Sequence, residues 1–508
     1  MGLYDFGFYD LIERNAVCFR NRPAWFEVDD QRSLTFAEYK NKVDQLACGL
    51  QKAGIKKGDR IGAFGKNSLE FFCLYGAAAA TGAIVLPINW RLSAEEAVFN
   101  FNDGEPEFLF VDPEYQEMIE DSKKKLPSVK KFFNLKPPGG KFSDFDALLN
   151  NDGKFDPPDV STDDGLVIIH TAAVAGRPRG ALLSHGNLIS ANIHINLLMN
   201  LSADDVHLNI LPLFHVGGLF MATGSFHGGA LNVNMSKFDA ARAVELIEEK
   251  KISFMFDFSP ILASVLEAAG KSGNDISTLQ HVVGLESPEV IEKYQESVGG
   301  TFYCMYGQTE TSAIATMGRY SDKPGSAGRT IALADVRLVD DDDHQVPVGE
   351  VGEIAVKGPM VFKGYWNLAE DTTSAFRGGW QHTGDLGRFD GDGFLWYEGR
   401  KAEKELIKPG GENVYPAEVE KAILEHPAVE NTVVFGVPDP KWKEGIKAVC
   451  RLKAGHTLEP RELIAFVGTR IASFKKPQYV EFVSELPQLK DGSVDRAKVK
   501  ALYGGVQG

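Results

Sequence analysis

The 508-residue chain carries 70 Asp and Glu against 54 Lys and Arg, a formal charge of −16, and 44% of its residues are hydrophobic. That is too long for one ordinary core, so two or more domains are expected, and the acidity excludes a nucleic-acid binder, which needs a basic face. Its five cysteines (Cys18, Cys48, Cys73, Cys304 and Cys450) are odd in number and form no CxxC pair, which points to a reducing cytoplasm and away from a metal-thiolate site.

The opening MGLYDFGFYD has neither a basic n-region nor an apolar core, so no secretory signal is expected, and Phe6 stands where a myristoylation signal wants Ser or Thr. Charge is uneven along the chain. From residue 401 onward 17 basic residues face 15 acidic ones, whereas residues 1–400 hold 37 against 55. A mildly basic C-terminal part beside an acidic large one suits a polyanionic ligand, and ordinary surface variation explains it as well.

In chain order, Thr35 can cap a helix through AEYKNKVDQLACGLQKAG, whose apolar positions Tyr39, Val43, Leu46 and Leu50 fall at helical spacing and which Gly54 stops. RIGAFG then reads as a strand, SLEFFCLYGAAAATG as a helix, AIVLPIN as a strand and AEEAVFNFNDG as a helix. This alternation predicts a doubly wound α/β core with a mainly parallel sheet. The greasiest stretch, residues 71–88, is broken by Gly76, Thr81, Gly82 and Pro87. It falls short of the roughly 20 apolar residues that span a bilayer, so no membrane segment is expected. Pro137, Pro138, Gly139 and Gly140 mark an exposed loop.

Residues 165–185, GLVIIHTAAVAGRPRGALLSH, place Arg177 and Arg179 in a Gly- and Pro-punctuated turn between two apolar runs. Such a turn can offer backbone N–H groups and guanidinium charge to an anion. Alone it is as readily a solvated hairpin, and no Gly-Lys-Ser/Thr ends it as a Walker A loop requires. Ser184 can cap the next helix, GNLISANIHINLLMN. Taken singly, His215 in LPLFHVGGL is a core histidine and the Thr309-Glu310 pair in MYGQTET a helix start. The acidic run from Asp340 to Asp343, between VRLV and QVPVGEVGEIAV, reads as a solvated hairpin turn rather than a metal site.

Together and in this order, the 165–185 loop, LPLFHVGGL (211–219), MYGQTET (305–311), HTGDLGRFDGDGF (382–394) and GRKAEKELIKPGGENVYPAEVE (399–420) resemble the acyl-adenylate-forming superfamily: acid–CoA ligases, carrier-protein adenylation domains and beetle-type luciferases. The resemblance spans nearly the whole chain. It implies an α/β fold with a large N-terminal multi-subdomain adenylate-forming domain (1–399), its mixed sheets flanked by helices. A hinge follows at 400–404, around Ala402 and Glu403, and then a small mobile α+β C-terminal domain (405–508).

The same resemblance implies that ATP and AMP are bound by Thr171, Gly176, Arg179, Gly284, Glu286, Ser287, Tyr306, Gly307, Thr309, Asp385 and Arg400. Tyr306 would face the adenine, Thr309 the phosphates and Asp385 the ribose hydroxyls. For Glu286 a purine amino contact is only a hypothesis. Glu310 would hold Mg²⁺, which binds oxygen ligands and bridges phosphates. His215, Val216, Gly217, Gly218, Phe258, Leu285 and Met305 would form the acyl pocket, with His215 at its mouth, and Gly410 and Gly411 would line the CoA tunnel. Thr309, Glu310 and His215 are the implied catalytic residues. A histidine where amino-acid adenylating domains put an aspartate favours a plain carboxylic acid. ATP, Mg²⁺ and CoA are the implied cofactors, nucleic acid and membrane are not partners, and a homodimer is left open.

Two departures stand out. The loop has Ala172, Ala173, Val174, Ala175 and Arg179 where relatives carry several hydroxyls and a lysine, and arginine keeps the charge but not the geometry. Near the end, LPQLKDGSVDRAKVK puts Ser493 in the slot of the lysine that reaches the carboxylate and α-phosphate. A hydroxyl supplies no cation there, and losing one such preorganised group costs on the order of 10²-fold. The implied activity is an AMP-forming acid–CoA ligase for an aromatic, alicyclic or medium-chain acid. An enzyme that loads a carrier protein and a non-catalytic acyl-adenylate or nucleotide binder are the alternatives.

Overall fold

Thr35 Oγ1 accepts the Glu38 N–H at 3.2 Å while Glu38 Oε2 accepts the Thr35 N–H at 2.8 Å, closing a capping box at the head of helix Phe36–Ala53. Gly54, at φ +115°, ends that helix in the left-handed region where glycine is unstrained. Tyr39, Val43, Leu46 and Leu50 form its buried face. The apolar run downstream becomes helix Leu69–Thr81, buried at every position, followed by strand Ile84–Ile88. Among the described residues no helix is long and apolar enough to cross a membrane.

The computed structural model describes residues 2–136, 139–174, 177–401, 406–488 and 494–505. The chain divides into two compact units. One comprises Met1–Trp90, Asn100–His170 and Gly180–Gly399; the other comprises Arg91–Phe99, Thr171–Arg179 and Arg400–Gly508.

Two large, mainly parallel sheets carry the first unit. A seven-stranded sheet runs in the order Gly364–Tyr365, Arg177–Ser184, Gly165–Val174, Ile84–Ile88, Arg60–Phe64, Phe108–Val111, Lys131–Asn134. A nine-stranded sheet runs Arg329–Thr330, Thr316–Arg319, Thr301–Tyr306, His281–Leu285, Phe254–Phe258, Val206–Asn209, Leu231–Asn234, Pro23–Glu27, Ser33–Thr35. Its six inner strands are parallel and its edges antiparallel. The strand–helix alternation read near the N-terminus builds the parallel part of the seven-stranded sheet, and the nine-stranded sheet is a second one, in keeping with the mixed sheets the resemblance implied. Pro23–Glu27 pairs on one side with its sequence neighbour Ser33–Thr35 and on the other with Leu231–Asn234, some two hundred residues on. A five-stranded sheet of Asp335–Val339, Gly352–Lys357, Trp380–Phe389 and Phe376–Arg377, with Leu395–Arg400 on Trp380–Phe389, completes the set.

The C-terminal segment folds around a three-stranded sheet, Val429–Asp439, Lys443–Leu452 and Tyr479–Val483, with helices Pro416–Leu424, Pro460–Gly468 and Arg496–Tyr503. Ile407, Val419, Ile423, Val434, Ile446 and Leu463 supply its core. This is the α+β character expected of it.

Ser184 caps helix His185–Met199 as expected: its Oγ accepts the Asn187 N–H at 3.2 Å, and Asn187 Oδ1 accepts the Ser184 N–H at 2.9 Å. The Asn187 amide then donates to the carbonyls of Pro359 and Val361 at 2.7 and 2.9 Å. One capping residue therefore fixes a loop that is remote in sequence and, as described next, borders the candidate site. The acidic run does form a turn. Asp340, Asp341 and Asp342 are exposed and Asp340 Oδ1 accepts the N–H groups of Asp342 and His344, but Asp343 turns inward onto Arg377.

Candidate active site

The strand Thr301–Tyr306 delivers its chain into a tight loop that only glycine at 307 permits. A Cβ there would stand 2.1 Å from the Ala313 carbonyl oxygen. The loop makes a 3₁₀ turn, Thr309–Thr311, in which the Gln308 N–H donates to Thr311 Oγ1 at 2.9 Å, and it leaves through Ser312 at φ +52° and Ala313 at φ +74°. Two consecutive non-glycine residues in the left-handed region are strain held by the surrounding structure. The holding contacts are visible: Ser312 Oγ donates to the Met360 carbonyl at 2.6 Å, and the Phe362 N–H donates to the Glu310 carbonyl at 2.9 Å.

Glu310 is only 7% exposed, and its Oε1 accepts the Tyr365 hydroxyl at 2.8 Å. Thr309 beside it is half-buried. The other wall of the loop is built on Asp385, which is 2% exposed. Its Oδ2 accepts the Tyr306 hydroxyl at 2.9 Å and the Gln308 amide at 2.6 Å, and its own N–H donates to Thr383 Oγ1 at 3.1 Å. Burial, and after it the Asp385 charge, hold the Tyr306 phenol well above its ordinary pKa, so it remains a donor. The Tyr306 ring stacks on Tyr397 at 6.2 Å. Two motifs separated by nearly eighty residues are thus joined directly.

His215 is the N-cap of helix Val216–Gly228, where its Nδ1 accepts the Gly217 N–H at 3.2 Å. That bond requires Nδ1 to be unprotonated and leaves the proton of the neutral ring on Nε2. The imidazole meets Phe258 edge-on at 6.1 Å, and Phe258 lies 5.2 Å from Phe256. Val216 is buried. Gly218 is a packing requirement, since a Cβ would sit 2.2 Å from the Pro212 carbonyl oxygen. Gly284, at φ +153°, answers to a similar demand, with its would-be Cβ 1.9 Å from the Asp257 carbonyl oxygen of the paired strand.

Behind this lies an apolar cavity lined chiefly by Ile195, Met199, Met221, Phe256, Met305 and Met317, with Gly217 also on its wall. Of the residues the resemblance assigns to the acyl group, Gly217 and Met305 line the cavity and His215 and Phe258 adjoin it. Leu285 is 46% exposed. Glu286 Oε1 accepts the Ser287 N–H at 2.7 Å at the head of helix Pro288–Val298, a contact that gives this carboxylate a local structural partner.

In the second unit, Thr171 Oγ1 donates to the Arg179 carbonyl at 3.3 Å, and Arg400 ends strand Leu395–Arg400. Gly410, at φ +58° in the 3₁₀ turn Pro409–Gly411, packs on the Trp442 indole, where a Cβ would come within 2.8 Å of the ring. Gly176, Ala402, Glu403 and Ser493 lie outside the described residues.

The sequence model of the family described as AMP-binding enzyme matches residues 12–366, and that of the AMP-binding enzyme C-terminal domain matches residues 418–492. The chain belongs to the AMP-binding enzyme family. Among its relatives are an indoleacetate–CoA ligase of Aromatoleum aromaticum, 36% identical over 480 residues (93% of this chain, 94% of the relative), and a feruloyl-CoA synthase of an Amycolatopsis species, 33% identical over 481 residues (93% and 94%). Among solved structures, o-succinylbenzoate CoA synthetase of Bacillus subtilis, bound to its product analogue, superposes with a TM-score of 0.86 at 26% identity and covers 98% of both chains. The acyl-adenylate-forming resemblance and the α/β fold it implied therefore hold.

For this AMP-binding enzyme the sequence left several site groups unseen. Tyr365 and Gln308 carry no individual signal, because their roles arise from contacts with residues 55 and 77 positions away. Four of the chain's nine methionines line one cavity, and of these only Met305 was assigned from the sequence; Met199, Met221 and Met317 were visible only as composition.

Proposed function

We propose that the chain is an AMP-forming carboxylic acid–CoA ligase. The substrate carboxylate attacks the α-phosphorus of ATP, pyrophosphate leaves, and the CoA thiolate then displaces AMP from the acyl-adenylate to give the thioester. The observation that carries this reading is that the loop bearing Thr309 and Glu310 has an apolar cavity behind it, walled by Met305 on one flank and by Ala313, Ile314 and Met317 on the other. Acyl tail and phosphate chemistry are thereby served by one piece of backbone. The relatives named as CoA ligases and synthases support the same assignment.

In this reading Asp385 accepts the ribose hydroxyls, Tyr306 faces the adenine, Thr309 and the Thr171–Arg179 loop contact phosphate, and Arg400 joins the nucleotide set. His215, with its proton on Nε2, donates to the acid at the mouth of the cavity. Most of the rate comes from positioning and charge stabilisation rather than covalent chemistry by the protein. Glu310 fits a Mg²⁺ held mainly by phosphate oxygens and water. It is a single buried carboxylate, and among the described residues no group of three or more His, Cys, Asp or Glu is assembled that could hold an ion by itself. When bound, that ion neutralises phosphate charge. An apolar lining of methionines, Phe256 and small residues suits an aromatic, alicyclic or medium-chain tail.

Ser493 in place of the usual lysine makes adenylation the slow half-reaction. The test is AMP and acyl-CoA release across a panel of acids for the chain and for Ser493→Lys. Restoring the cation raises adenylation by on the order of 10²-fold and leaves thioester formation from supplied acyl-adenylate nearly unchanged. Equal gains in both assays would refute the role of Ser493. No thioester in either form would favour a binder, and turnover with holo-carrier protein alone would favour carrier loading.

A further inference from the structure

Behind Asp385 sits a charged cluster that the proposed mechanism does not use. Strand Gly352–Lys357 pairs antiparallel with Trp380–Phe389, and the register breaks between Glu353 and Ala355, opposite His382 to Leu386. Such irregularities re-aim side chains beside functional sites. Here the extra residues are Thr383, Gly384 and Asp385, which face Ile354 alone, and Glu353, 4% exposed, reaches into the break, where its Oε1 accepts the Gly384 N–H at 2.8 Å. Gly384, at φ +70°, is the residue immediately before Asp385.

The second oxygen of Glu353 is held from the other side. Arg377 points one nitrogen at Glu353 Oε2 at 3.4 Å and at His382 Nδ1 at 2.8 Å, and its guanidinium also takes Asp343 through two contacts at 3.2 and 3.3 Å. Asp343 is the last member of the acidic run, at φ +62°. The exposed end of this chain, Asp343 with Arg377, is worth little by itself. The buried end matters more, because an N–H that loses a charged acceptor inside the protein keeps its full desolvation cost.

We infer that Glu353 is a positioning residue for nucleotide binding, clamped by Arg377 and acting through the Gly384 N–H to aim the Asp385 carboxylate. This rests on the reading of Asp385 as the ribose-hydroxyl acceptor. Because Asp385 already takes Tyr306 and Gln308 on Oδ2, its direction toward a ligand is set by the backbone that carries it, and Glu353 fixes that backbone.

Binding of ATP and of 2′,3′-dideoxy-ATP to the full-length chain, measured by calorimetry, reads the effect directly. The wild-type chain binds ATP roughly tenfold more tightly than the dideoxy analogue, the size of one hydrogen bond to a charged group. Glu353→Ala collapses that ratio toward one without changing the KM for the acid. Glu353→Gln, which keeps an acceptor for Gly384, recovers most of it. Should the alanine variant fail to fold, Arg377→Gln, at a half-exposed position, carries the test and lowers the ratio in the same direction. Asp385→Asn is the control. If the wild-type ratio is one, or survives Asp385→Asn, the ribose reading fails and takes the inference with it. If Asp385→Asn abolishes the ratio while Glu353→Ala and Arg377→Gln preserve it, losing only thermal stability, Glu353 is structural and the inference alone is overturned.

Discussion

Replacing Gly307 by alanine tests whether the loop geometry, rather than the mere presence of Thr309 and Glu310, underlies activity. The new Cβ would start 2.1 Å from the Ala313 oxygen, 2.4 Å from its carbonyl carbon and 2.6 Å from the Ile314 nitrogen, all backbone atoms. Reaching even a 3.0 Å separation requires the two passes of the loop to part by about 1 Å, in a segment whose exit already runs through Ser312 and Ala313 at positive φ. Overpacking of this kind costs about 1–3 kcal/mol of stability, but a 1 Å displacement of positioned groups costs roughly 10²-fold in rate. ATP–pyrophosphate exchange with the best acid should therefore fall about 10²-fold while the protein stays folded by calorimetry. Gly270→Ala supplies the comparison. It lies in helix Ile261–Ser272 with nothing within 4 Å of its would-be Cβ, and should stabilise or do nothing. Exchange at the wild-type rate in Gly307→Ala would refute the reasoning.

Met199→Ala, which deepens the cavity from its helical wall, should shift kcat/KM toward acids with a bulkier apolar tail, at about 2–5 kcal/mol of stability; an unchanged order of preference across the acid panel would show that this cavity does not take the tail. Glu27 is a buried carboxylate pushed up to about 7 by desolvation, against the opposing donation of Asn234 and Trp25. The folded state thus holds a proton that the unfolded chain has released, and stability falls as pH rises from about 4.5 to 7. Glu27→Gln should remove roughly 3 kcal/mol of that decline, read as denaturant midpoints at pH 5 and 8; parallel pH profiles for the two proteins would contradict it.

Where a feature depended on a few adjacent residues, it was legible in the sequence. Thr35, Gly54 and Ser184 announce helix ends because a cap is a contact across three or four positions, and the dense apolarity that begins at Phe71 announces a buried helix. Partnership across the fold was not legible. Nothing local says that Pro23–Glu27 seeks Leu231–Asn234, since a parallel neighbour is chosen by how whole layers stack. The five motifs signalled a nucleotide-handling enzyme, yet they could not show that Gly218 and Gly284 answer to backbone crowding, or that Glu286 has a partner in the next N–H. The acidic run was correctly read as a turn, but its fourth carboxylate lies against Arg377, which only the folding of the five-stranded sheet brings near.

If the cavity takes the acyl tail, as proposed, its shared wall shapes how this protein discriminates between acids. Met305 and the stretch from Ala313 to Met317 both flank the strained loop that carries Glu310, so an ill-fitting tail pushes on the same backbone that must stay aligned during phosphoryl chemistry. Discrimination of this kind is expressed in turnover rather than in occupancy. Poorly matched acids should saturate the protein at ordinary concentrations and then react slowly, acting as inhibitors of their better-fitting competitors.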